Sequence, residues 1–451
     1  MKPMSRRRKI ALGVLAVIIV VAIGAAWLML PPRALGFAGG HAVSLAAYHG
    51  PDPTGVPVEL RSGDLVTRGK YLTLAADCAV CHTAAGGQPF AGGRAFPTAF
   101  GVIYSPNITA DLQTGIGAWT DADFLHAVHD GVRKDGQHLY PAFPYESYTL
   151  LADGDVLAIK AYLFSLPTAH AVAPPNRLGF PFNQRWLMGL WSAFYNPDQR
   201  FQPHDDRSPA WNRGAYLAEA LAHCGDCHTP RNLAQALDNR RKFGGTVTQG
   251  WRAYNITSDA ASGVGRWSDA ELAEYLRAGH VVGRGVAGGP MAEEVDDSLS
   301  LLSGSDIRSV VVYLRSIPGR RSDGLPAPKP TAASDAPKLM AAGFDPRGKQ
   351  IFEGACASCH SWSGVSQLTG YATLTGDRAI NDRSGVNVVQ VIISGERRPA
   401  AGGNVLMPAF GAAYSDTEIA AVANYVTARF GDAPSRVSAK DVARLRRESS
   451  Q

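Results

Sequence analysis

The strongest constraint on this chain comes from its cysteines, because all six fall in three copies of the pattern Cys-x-x-Cys-His. Random placement of this composition would give the pattern only ~0.002 times, so the three copies indicate one shared chemistry. Disulfide bonds, a zinc site and a thioredoxin-like redox pair are the alternatives for paired cysteines. A redox pair does not need the histidine, and a zinc site needs further ligands at a regular spacing. The pattern therefore predicts three covalently bound haem c groups.

The spacing explains how each motif would hold its haem. Residues i and i+3 lie on one face of a helix, so both thiols can reach the vinyl groups of one porphyrin. The histidine that follows then gives its imidazole to the iron. The predicted thioether residues are Cys78, Cys81, Cys224, Cys227, Cys356 and Cys359. The predicted proximal iron ligands are His82, His228 and His360.

The N-terminus predicts a membrane anchor. Residues 10–30 form an uncharged, mostly apolar run of 21 residues that ends at two prolines. At ~1.5 Å per residue this run spans ~31 Å, the thickness of a bilayer core. A signal peptide has a shorter apolar region of ~7–15 residues, so residues 1–34 are interpreted as an uncleaved anchor, although the small residues 24–26 leave cleavage open. The basic flank stays cytoplasmic, which predicts a bacterial inner-membrane protein with its bulk in the periplasm.

The charge balance excludes one class of partner. Lysine and arginine number 44 against 39 acidic residues, a net charge of +5. Five of the basic residues precede the apolar run, so the remaining chain is balanced. A nucleic-acid-binding domain needs a basic surface, and we therefore expect no nucleic-acid partner.

Three segments of the chain follow one plan, in which a helical pattern leads to Cys-x-x-Cys-His and an apolar-periodic helix closes the segment. This plan resembles the class I cytochrome c fold. The predicted fold class is mainly α, with three tandem class I cytochrome c-like domains at residues 60–173, 207–320 and 342–433 behind an N-terminal transmembrane helix. Residues 107–143 match residues 255–291 without a gap, which indicates a duplication. The match aligns two helix-start capping pairs, Thr120 with Asp123 and Ser268 with Glu271.

Three further segments lie between or after these domains. Residues 174–206 form a crossover rich in aromatic residues, whose part 178–196 is predicted to pack between the first two domains or to contact the membrane surface, a quinone or a partner subunit. Residues 321–341 have the composition of a Pro/Ala spacer. Residues 434–451 are polar and are predicted to form a frayed tail.

Each iron needs a sixth ligand or stays open. Met291 follows Cys227 by 64 residues and Met407 follows Cys359 by 48, so these two methionines are predicted to complete His/Met ligation. The first domain has Phe143 at the position that aligns with Met291, and phenylalanine cannot bind iron. His138, in the loop expected to cover this haem, is the candidate ligand, with an open or water-ligated iron as the alternative.

Two other histidines of the first domain are weaker candidates for the first iron. His126 and His129 align with Glu274 and Arg277 of the second domain, at positions expected to face solvent. If His138 binds instead, the first haem is bis-histidine ligated and has a lower potential than the His/Met haems.

Several motifs resemble a known family. The motifs are Asn107-Ile-Thr-Ala-Asp, Gly115-Ile-Gly-Ala-Trp119, Tyr140-Pro-Ala-Phe-Pro-Tyr145 and Cys224-Gly-Asp-Cys-His-Thr-Pro-Arg-Asn232. They are similar to those of membrane-bound triple-haem cytochrome c subunits of bacterial periplasmic alcohol, gluconate, sorbitol and aldehyde dehydrogenases. They are also similar to the cytochrome subunits of molybdenum hydroxylases such as nicotinate and isoquinoline dehydrogenases.

The resemblance implies an electron-transfer role with no catalysis by this chain alone. It implies a catalytic dehydrogenase subunit of molybdopterin, flavin or quinoprotein type as donor, and ubiquinone or a terminal oxidase as acceptor. Two alternatives stay open, namely a haem peroxidase that uses an open iron in the first domain and a cytochrome subunit of a terminal oxidase complex.

Overall fold

The computed structural model describes residues 6–322, 325, 345–400, 403–432 and 434–449, and within this part the chain is mostly helical. Helix α1 is Arg6–Met29, and no residue of its window Leu12–Met29 is buried in the protein. This window has a mean hydropathy of 2.7, and α1 is the one described helix that is long and apolar enough to cross a membrane. The N-terminal run therefore forms the helix that its composition predicts.

The first predicted domain begins with a helix whose N-terminus is capped by Asp64, which accepts a hydrogen bond from the Thr67 amide. Its elements are α2 (Leu65–Ala75), α3 (Cys78–His82), β1 (Ala95–Thr98), β2 (Gly101–Tyr104), α4 (Asp121–Asp130), α5 (Tyr145–Tyr148) and α6 (Asp153–Ser165). The crossover segment adds β3 (Arg177–Leu178), which pairs antiparallel with β2, and α7 (Leu187–Tyr195).

The second predicted domain repeats this order of elements and adds a short hairpin, β6 and β7, after α10. They are α8 (Pro209–Tyr216) with a π-helical turn at Leu217–Leu221, α9 (Gly225–His228), β4 (Thr246–Thr248), β5 (Trp251–Ala253), α10 (Asp269–Ala278), β6 (His280–Val281), β7 (Gly285–Val286), α11 (Pro290–Asp297) and α12 (Gly304–Ser316). Helices α4 and α10 both begin with the predicted capping pairs, and both pairs make the two reciprocal hydrogen bonds of a capping box. The aligned sequences thus start equivalent helices.

The last part of the chain contains a third set of elements. They are α13 (Pro346–Ile351) with a π-helical turn at Phe352–Cys356, α14 (Ala357–His360), α15 (Val386–Ser394), β8 (Glu396–Ala400), β9 (Gly403–Met407), α16 (Asp416–Phe430) and α17 (Ala439–Ser449). Strands β8 and β9 form an antiparallel hairpin in which Glu396 lies opposite Met407. Most of the spacer predicted at residues 321–341 lies outside the described residues.

The prediction of a frayed tail at residues 434–451 is wrong for the described part. Helix α17 packs against α15 and α16, and its Val442 and Leu445 are buried. Ser438 accepts a hydrogen bond from the Asp441 amide and caps the helix. Two buried aliphatic side chains on one helix face are sufficient to dock a segment that is otherwise polar.

Each predicted domain crosses its first helix over its last at a glycine. A Cβ atom on that glycine would lie within 2.2 Å of a carbonyl oxygen of the other helix, so the two backbones are in direct contact. The pairs are Gly69 with Ala158 (1.9 Å), Gly214 with Ser309 (1.9 Å) and Gly348 with Ala421 (2.2 Å). The same tight helix crossing therefore occurs three times.

The first two domains share one continuous hydrophobic core and exchange a pair of buried hydrogen bonds. Tyr71 of the first domain donates to Asp306 of the second at 2.7 Å. Tyr216 of the second domain donates to Asp155 of the first at 2.6 Å. Because each domain gives the same kind of donor and acceptor, the two are related like the protomers of a twofold dimer.

The third predicted domain has its own core and contacts the second predicted domain through polar groups. Arg398 pairs with Asp296 at 3.0 Å, and Arg252 pairs with the fully buried Asp382 at 3.0 Å. Charge-assisted hydrogen bonds of this kind fix a docking geometry. The described part of the chain thus contains two hydrophobic cores, which polar contacts join.

Candidate haem sites

The Cys-x-x-Cys-His motifs lie on single helical turns, as their spacing predicts. Five of the six motif cysteines are half-buried, and Cys359 is exposed. The first motif begins after Asp77, which takes a left-handed backbone conformation with φ of 49°. A π-helical turn precedes the second motif and ends at Cys356 of the third, and such turns often occur at functional sites. Each motif thus places two thiols and one imidazole on a short helix or on the residue directly before it.

The three motif histidines share one hydrogen-bond arrangement. In each, Nδ1 donates to a backbone carbonyl, which leaves Nε2 free for a metal. The pairs are His82 with Pro106 (2.8 Å), His228 with Tyr254 (2.6 Å) and His360 with Ala372 (2.7 Å). Burial lowers the pKa of all three histidines, so each is held in the neutral form that binds iron. The donor set therefore fits haem c, in which two thioethers hold the porphyrin and one imidazole binds the iron.

Two of these carbonyls are positioned by the repeated Asn-Ile-Thr motif. Asn107 accepts hydrogen bonds from the amide and hydroxyl of Thr109 and donates to the Ala169 carbonyl at 2.6 Å. Asn255 accepts the same two bonds from Thr257. Each asparagine directly follows the residue whose carbonyl accepts from the histidine. Asn107 and Asn255 occupy equivalent positions in the two aligned segments, so the sequence repeat indicates that both position a carbonyl for the histidine. The spacing of the cysteine motifs alone does not reveal this role.

The predicted distal ligands lie at different places in their domains. Met291 is at the start of α11, half-buried against the core shared by the first two domains. Met407 is the last residue of β9, half-buried against the third core. Phe143, the counterpart of Met291, packs its ring 5.3 Å from that of Tyr148. The assignment of the two methionines as iron ligands stays a prediction.

The His138 imidazole lies against α7. A Cβ on Gly189 would be 2.9 Å from its Nε2 atom. Its Nδ1 atom is buried and has no hydrogen-bond partner among the residues that the structure describes. A buried imidazole nitrogen without a partner is costly in a native protein, and a metal bond is one way to satisfy it. This orphaned atom is compatible with the predicted ligand role of His138.

The expectation that His126 and His129 both face solvent is half wrong. His126 is exposed and pairs with Asp130 at 2.7 Å. His129 is only 1% exposed, because the segment after α7 covers it: Asn196 donates to the His129 carbonyl at 2.9 Å. Burial lowers the pKa of His129 to about 4. The alignment with Arg277 conceals this burial, since the covering segment belongs to the crossover.

The first two motifs lie close together across the domain interface. Tyr148 donates to the Ala76 carbonyl at 2.8 Å, next to the first motif, and its ring lies 5.5 Å from that of His223, next to the second. Ser147 donates to Asp226, inside the second motif, at 2.9 Å. Helix α5 therefore bridges the two candidate haem sites.

Two buried carboxyl groups lie at the same interface. Burial and the neighbouring Glu294 raise the pKa of Asp77 to about 11, and burial also raises the pKa of Glu294. At neutral pH the pair therefore retains a proton. The preceding residue on α11, Glu293, forms an ion pair with Arg94 of the first domain at 2.7 Å. Helix α11 is thus fixed to both domains near their motifs.

Comparison with known proteins yields matches along most of the chain. The cytochrome c family model matches residues 66–167, and the model for subunit III of cbb3-type cytochrome c oxidase matches residues 345–426. The fructose dehydrogenase cytochrome subunit of Gluconobacter japonicus is 37% identical over 84% of this chain and 82% of its own length. The gluconate 2-dehydrogenase cytochrome c subunit of Pantoea cypripedii is 36% identical over 85% and 90%. One of the nicotinate dehydrogenase subunits of Pseudomonas putida is 39% identical over 82% of this chain, which spans only 30% of that longer protein.

Proposed function

The chain belongs to the family of dehydrogenase cytochrome c subunits and acts in electron transfer, and on this premise we propose that it is a triple-haem relay. It takes electrons from a periplasmic dehydrogenase and passes them to ubiquinone or to a terminal oxidase. Three tandem class I cytochrome c-like domains each carry one covalent haem c. When bound, haem c supplies reversible one-electron iron chemistry.

The observation that carries this proposal is the threefold recurrence of one arrangement. In each motif the histidine donates Nδ1 to a backbone carbonyl and keeps Nε2 available. In each domain the motif follows a helix that crosses the closing helix at a glycine. A structural role for the cysteines alone would not need a neutral, oriented imidazole beside every pair.

The side chains of this protein have three roles in the proposed relay. The cysteines would fix each porphyrin to the protein, and the histidines would bind the iron. Met291 and Met407 complete the coordination in the second and third domains and raise the potentials there. His138 would complete it in the first domain, and bis-histidine ligation would give that haem a lower potential than the other two.

The catalytic partner is a molybdopterin, flavin or quinoprotein dehydrogenase. Relatives named for nicotinate dehydrogenase, fructose dehydrogenase and a quinone alcohol dehydrogenase match this chain at 39%, 37% and 33% identity, so the family alone does not single out one donor type. Helix α1 holds the complex at the bacterial inner membrane, with the three domains in the periplasm. Co-purification from solubilised membranes identifies the donor through the large subunit that accompanies this chain.

The first test is the haem content of the purified full-length protein. We expect an intact mass with three porphyrin additions and a reduced visible spectrum of c type. The variants His82→Ala, His228→Ala and His360→Ala should each convert one haem to an altered spin state while the other two keep their spectra. A mass with fewer than three porphyrins would contradict the proposal.

A second test separates the relay from its alternatives. Wholly low-spin ferric spectra support the relay, whereas a high-spin signal with peroxide turnover would support a peroxidase. The match of residues 345–426 to an oxidase subunit favours the third domain as the contact with a terminal oxidase. Recovery of an oxidase core without any dehydrogenase would show that the whole chain is an oxidase subunit instead.

A further inference from the structure

The outer face of α7 is apolar and exposed. Trp186, Leu190 and Phe194 are spaced four residues apart on one helix face and are 65%, 56% and 67% exposed. Helix α7 (Leu187–Tyr195) contains no charged residue. A soluble surface helix normally carries charged side chains on its outer face. A contiguous exposed apolar face of this kind marks a surface that another apolar phase covers.

The inner face of α7 is firmly packed, so its outer face is not free to turn inward. The Trp191 ring lies 6.0 Å from that of Tyr145, in an edge-to-face arrangement. Gly189 lies so close to His138 that a Cβ there would be 2.9 Å from the imidazole. The fold therefore holds the three apolar side chains outward by contacts made on the opposite side of the helix.

A loop of the second domain binds the end of the anchor helix α1. Asn232 donates to the Met29 carbonyl at 2.9 Å. Arg240 donates to the Leu28 carbonyl at 3.0 Å, and its guanidinium lies 4.5 Å from the centroid of the Trp27 ring. The last turn of a helix leaves its carbonyl groups unpaired, and these contacts satisfy two of them. The Arg240 cation also lies at the negative end of the α1 dipole, which is favourable. The loop is thus located where α1 leaves the bilayer.

Helix α7 is joined directly to that loop. The Trp191 indole donates to the Ala234 carbonyl at 2.7 Å. Ala234 is two residues from Asn232, a distance of at most ~7 Å along the chain. The residue between them, Leu233, is 88% exposed. Helix α7 and Leu233 therefore both lie close to the loop that binds the end of the anchor.

We propose that Trp186, Leu190, Phe194 and Leu233, together named the α7 patch, lie in the periplasmic leaflet of the inner membrane beside α1. This inference rests on the proposed membrane anchoring by α1. It adds a second contact with the membrane, which would fix how the periplasmic part of the protein is oriented relative to the bilayer. The occupant is lipid, because the patch continues from the point where the anchor leaves the bilayer. Tryptophan and phenylalanine on an uncharged helix face are typical of helices that lie in the membrane interface.

The test uses the full-length holoprotein in nanodiscs that contain a small fraction of phosphatidylcholine with a diazirine near the glycerol end of its acyl chain. After illumination, labelled residues are mapped by tryptic digestion and mass spectrometry. We expect lipid adducts within α1 and also within the peptide at residues 186–200. Val58, which is 73% exposed and outside the patch, should carry no adduct.

Two matched variants test whether the labelling depends on the α7 patch. Leu190→Glu should reduce labelling of residues 186–200 roughly fivefold while labelling of α1 stays unchanged, since a carboxylate disfavours interfacial insertion. Val58→Glu should change neither signal. Both side chains are exposed, so the haem spectrum of each variant should match that of the parent.

The outcomes distinguish this inference from the proposed anchoring. Labelling of α1 without labelling of 186–200 would overturn the α7 patch and leave the anchor in place. Absence of label from both segments would overturn the anchoring as well. Equal labelling in Leu190→Glu and the parent would show that the contact does not depend on the patch, and would also overturn the inference.

Discussion

The helix crossing in the second domain predicts that Gly214→Ala destabilises the protein although alanine is the better helix former. A Cβ at this position would lie 1.9 Å from the Ser309 carbonyl oxygen and 2.8 Å from the Tyr313 Cβ. Both contacts are with a packed helix, and Tyr313 is fully buried. The helices would have to move apart by about 1 Å to accept the methyl group, which opens the shared core.

Two opposing free-energy terms set the size of the effect. Overpacking of a core costs ~1–3 kcal/mol, and often more when backbone must move. Replacing glycine by alanine in a helix returns only ~0.5–1 kcal/mol. We expect a net loss of about 2 kcal/mol, which for a unit of this size lowers the Tm by ~4–8 °C. Haem loading should also fall, because Gly214 lies in α8, the helix that leads into the second Cys-x-x-Cys-His motif.

The assay is thermal unfolding of the holoprotein in detergent, followed by far-ultraviolet circular dichroism, with Gly154→Ala as the control. Gly154 lies in α6, and apart from its chain neighbours and the backbone of its own helix, no atom of the described residues lies within 4 Å of a Cβ there. This control should leave the Tm unchanged or raise it slightly, by up to ~2 °C. If both variants shift the Tm in the same direction, then helix propensity and not the backbone contact controls the crossing, and the reasoning is refuted.

Three further predictions concern buried polar groups. Burial raises the pKa of Glu146 to about 8, so the folded protein holds a proton that the unfolded chain releases, and stability falls as pH rises from about 4.5 to 8. Glu146→Gln should flatten this loss, as measured by the Tm at pH 5 and pH 8; an unchanged slope would contradict the assignment. Glu219 and Lys242 form a fully buried ion pair at 2.6 Å, and Glu219→Gln should cost ~3–5 kcal/mol in chemical denaturation by leaving the ammonium unpaired, whereas a loss below ~1 kcal/mol would show that the charge is not buried as described. His138→Met should raise the midpoint of the lowest-potential haem in a redox titration, while three unchanged midpoints would exclude His138 as its ligand.

The parts of the site that the sequence predicts are those fixed within a few residues. The spacing of Cys78 and Cys81 requires one helical turn, and the capping residues Thr120 and Ser268 begin helices by local hydrogen bonds. The carbonyl partners of the histidines depend instead on loops up to 26 residues away. No spacing rule specifies which carbonyl faces a ring, although the repeated asparagine next to it is visible in the sequence.

The burial of His129 and of helix α17 could not be predicted from local pattern. His129 is covered by Asn196, and that contact exists only because the crossover returns over α4. The tail has a capping pair, Ser438 and Asp441, that signals a helix, but the helix itself is strongly polar and only its packing on α15 and α16 makes it stable. In both cases tertiary contacts, which form between distant residues, outweigh local propensity.

The reciprocal contacts of the first two domains explain why they resemble each other more than either resembles the third. Tyr71 and Tyr216 each donate to an aspartate of the other domain, so a change in one domain would need a matching change in its duplicate. When two duplicated domains dock with twofold symmetry, each residue of the shared core faces its partner domain in the same way. The need for matching changes therefore applies throughout that core. The third domain docks on the second through ion pairs such as that of Arg398 with Asp296, and its core packs separately. An electron that passes along the proposed relay would therefore cross one interface with a continuous apolar core and one held by ion pairs, and because those ion pairs are largely buried, salt should screen them only weakly.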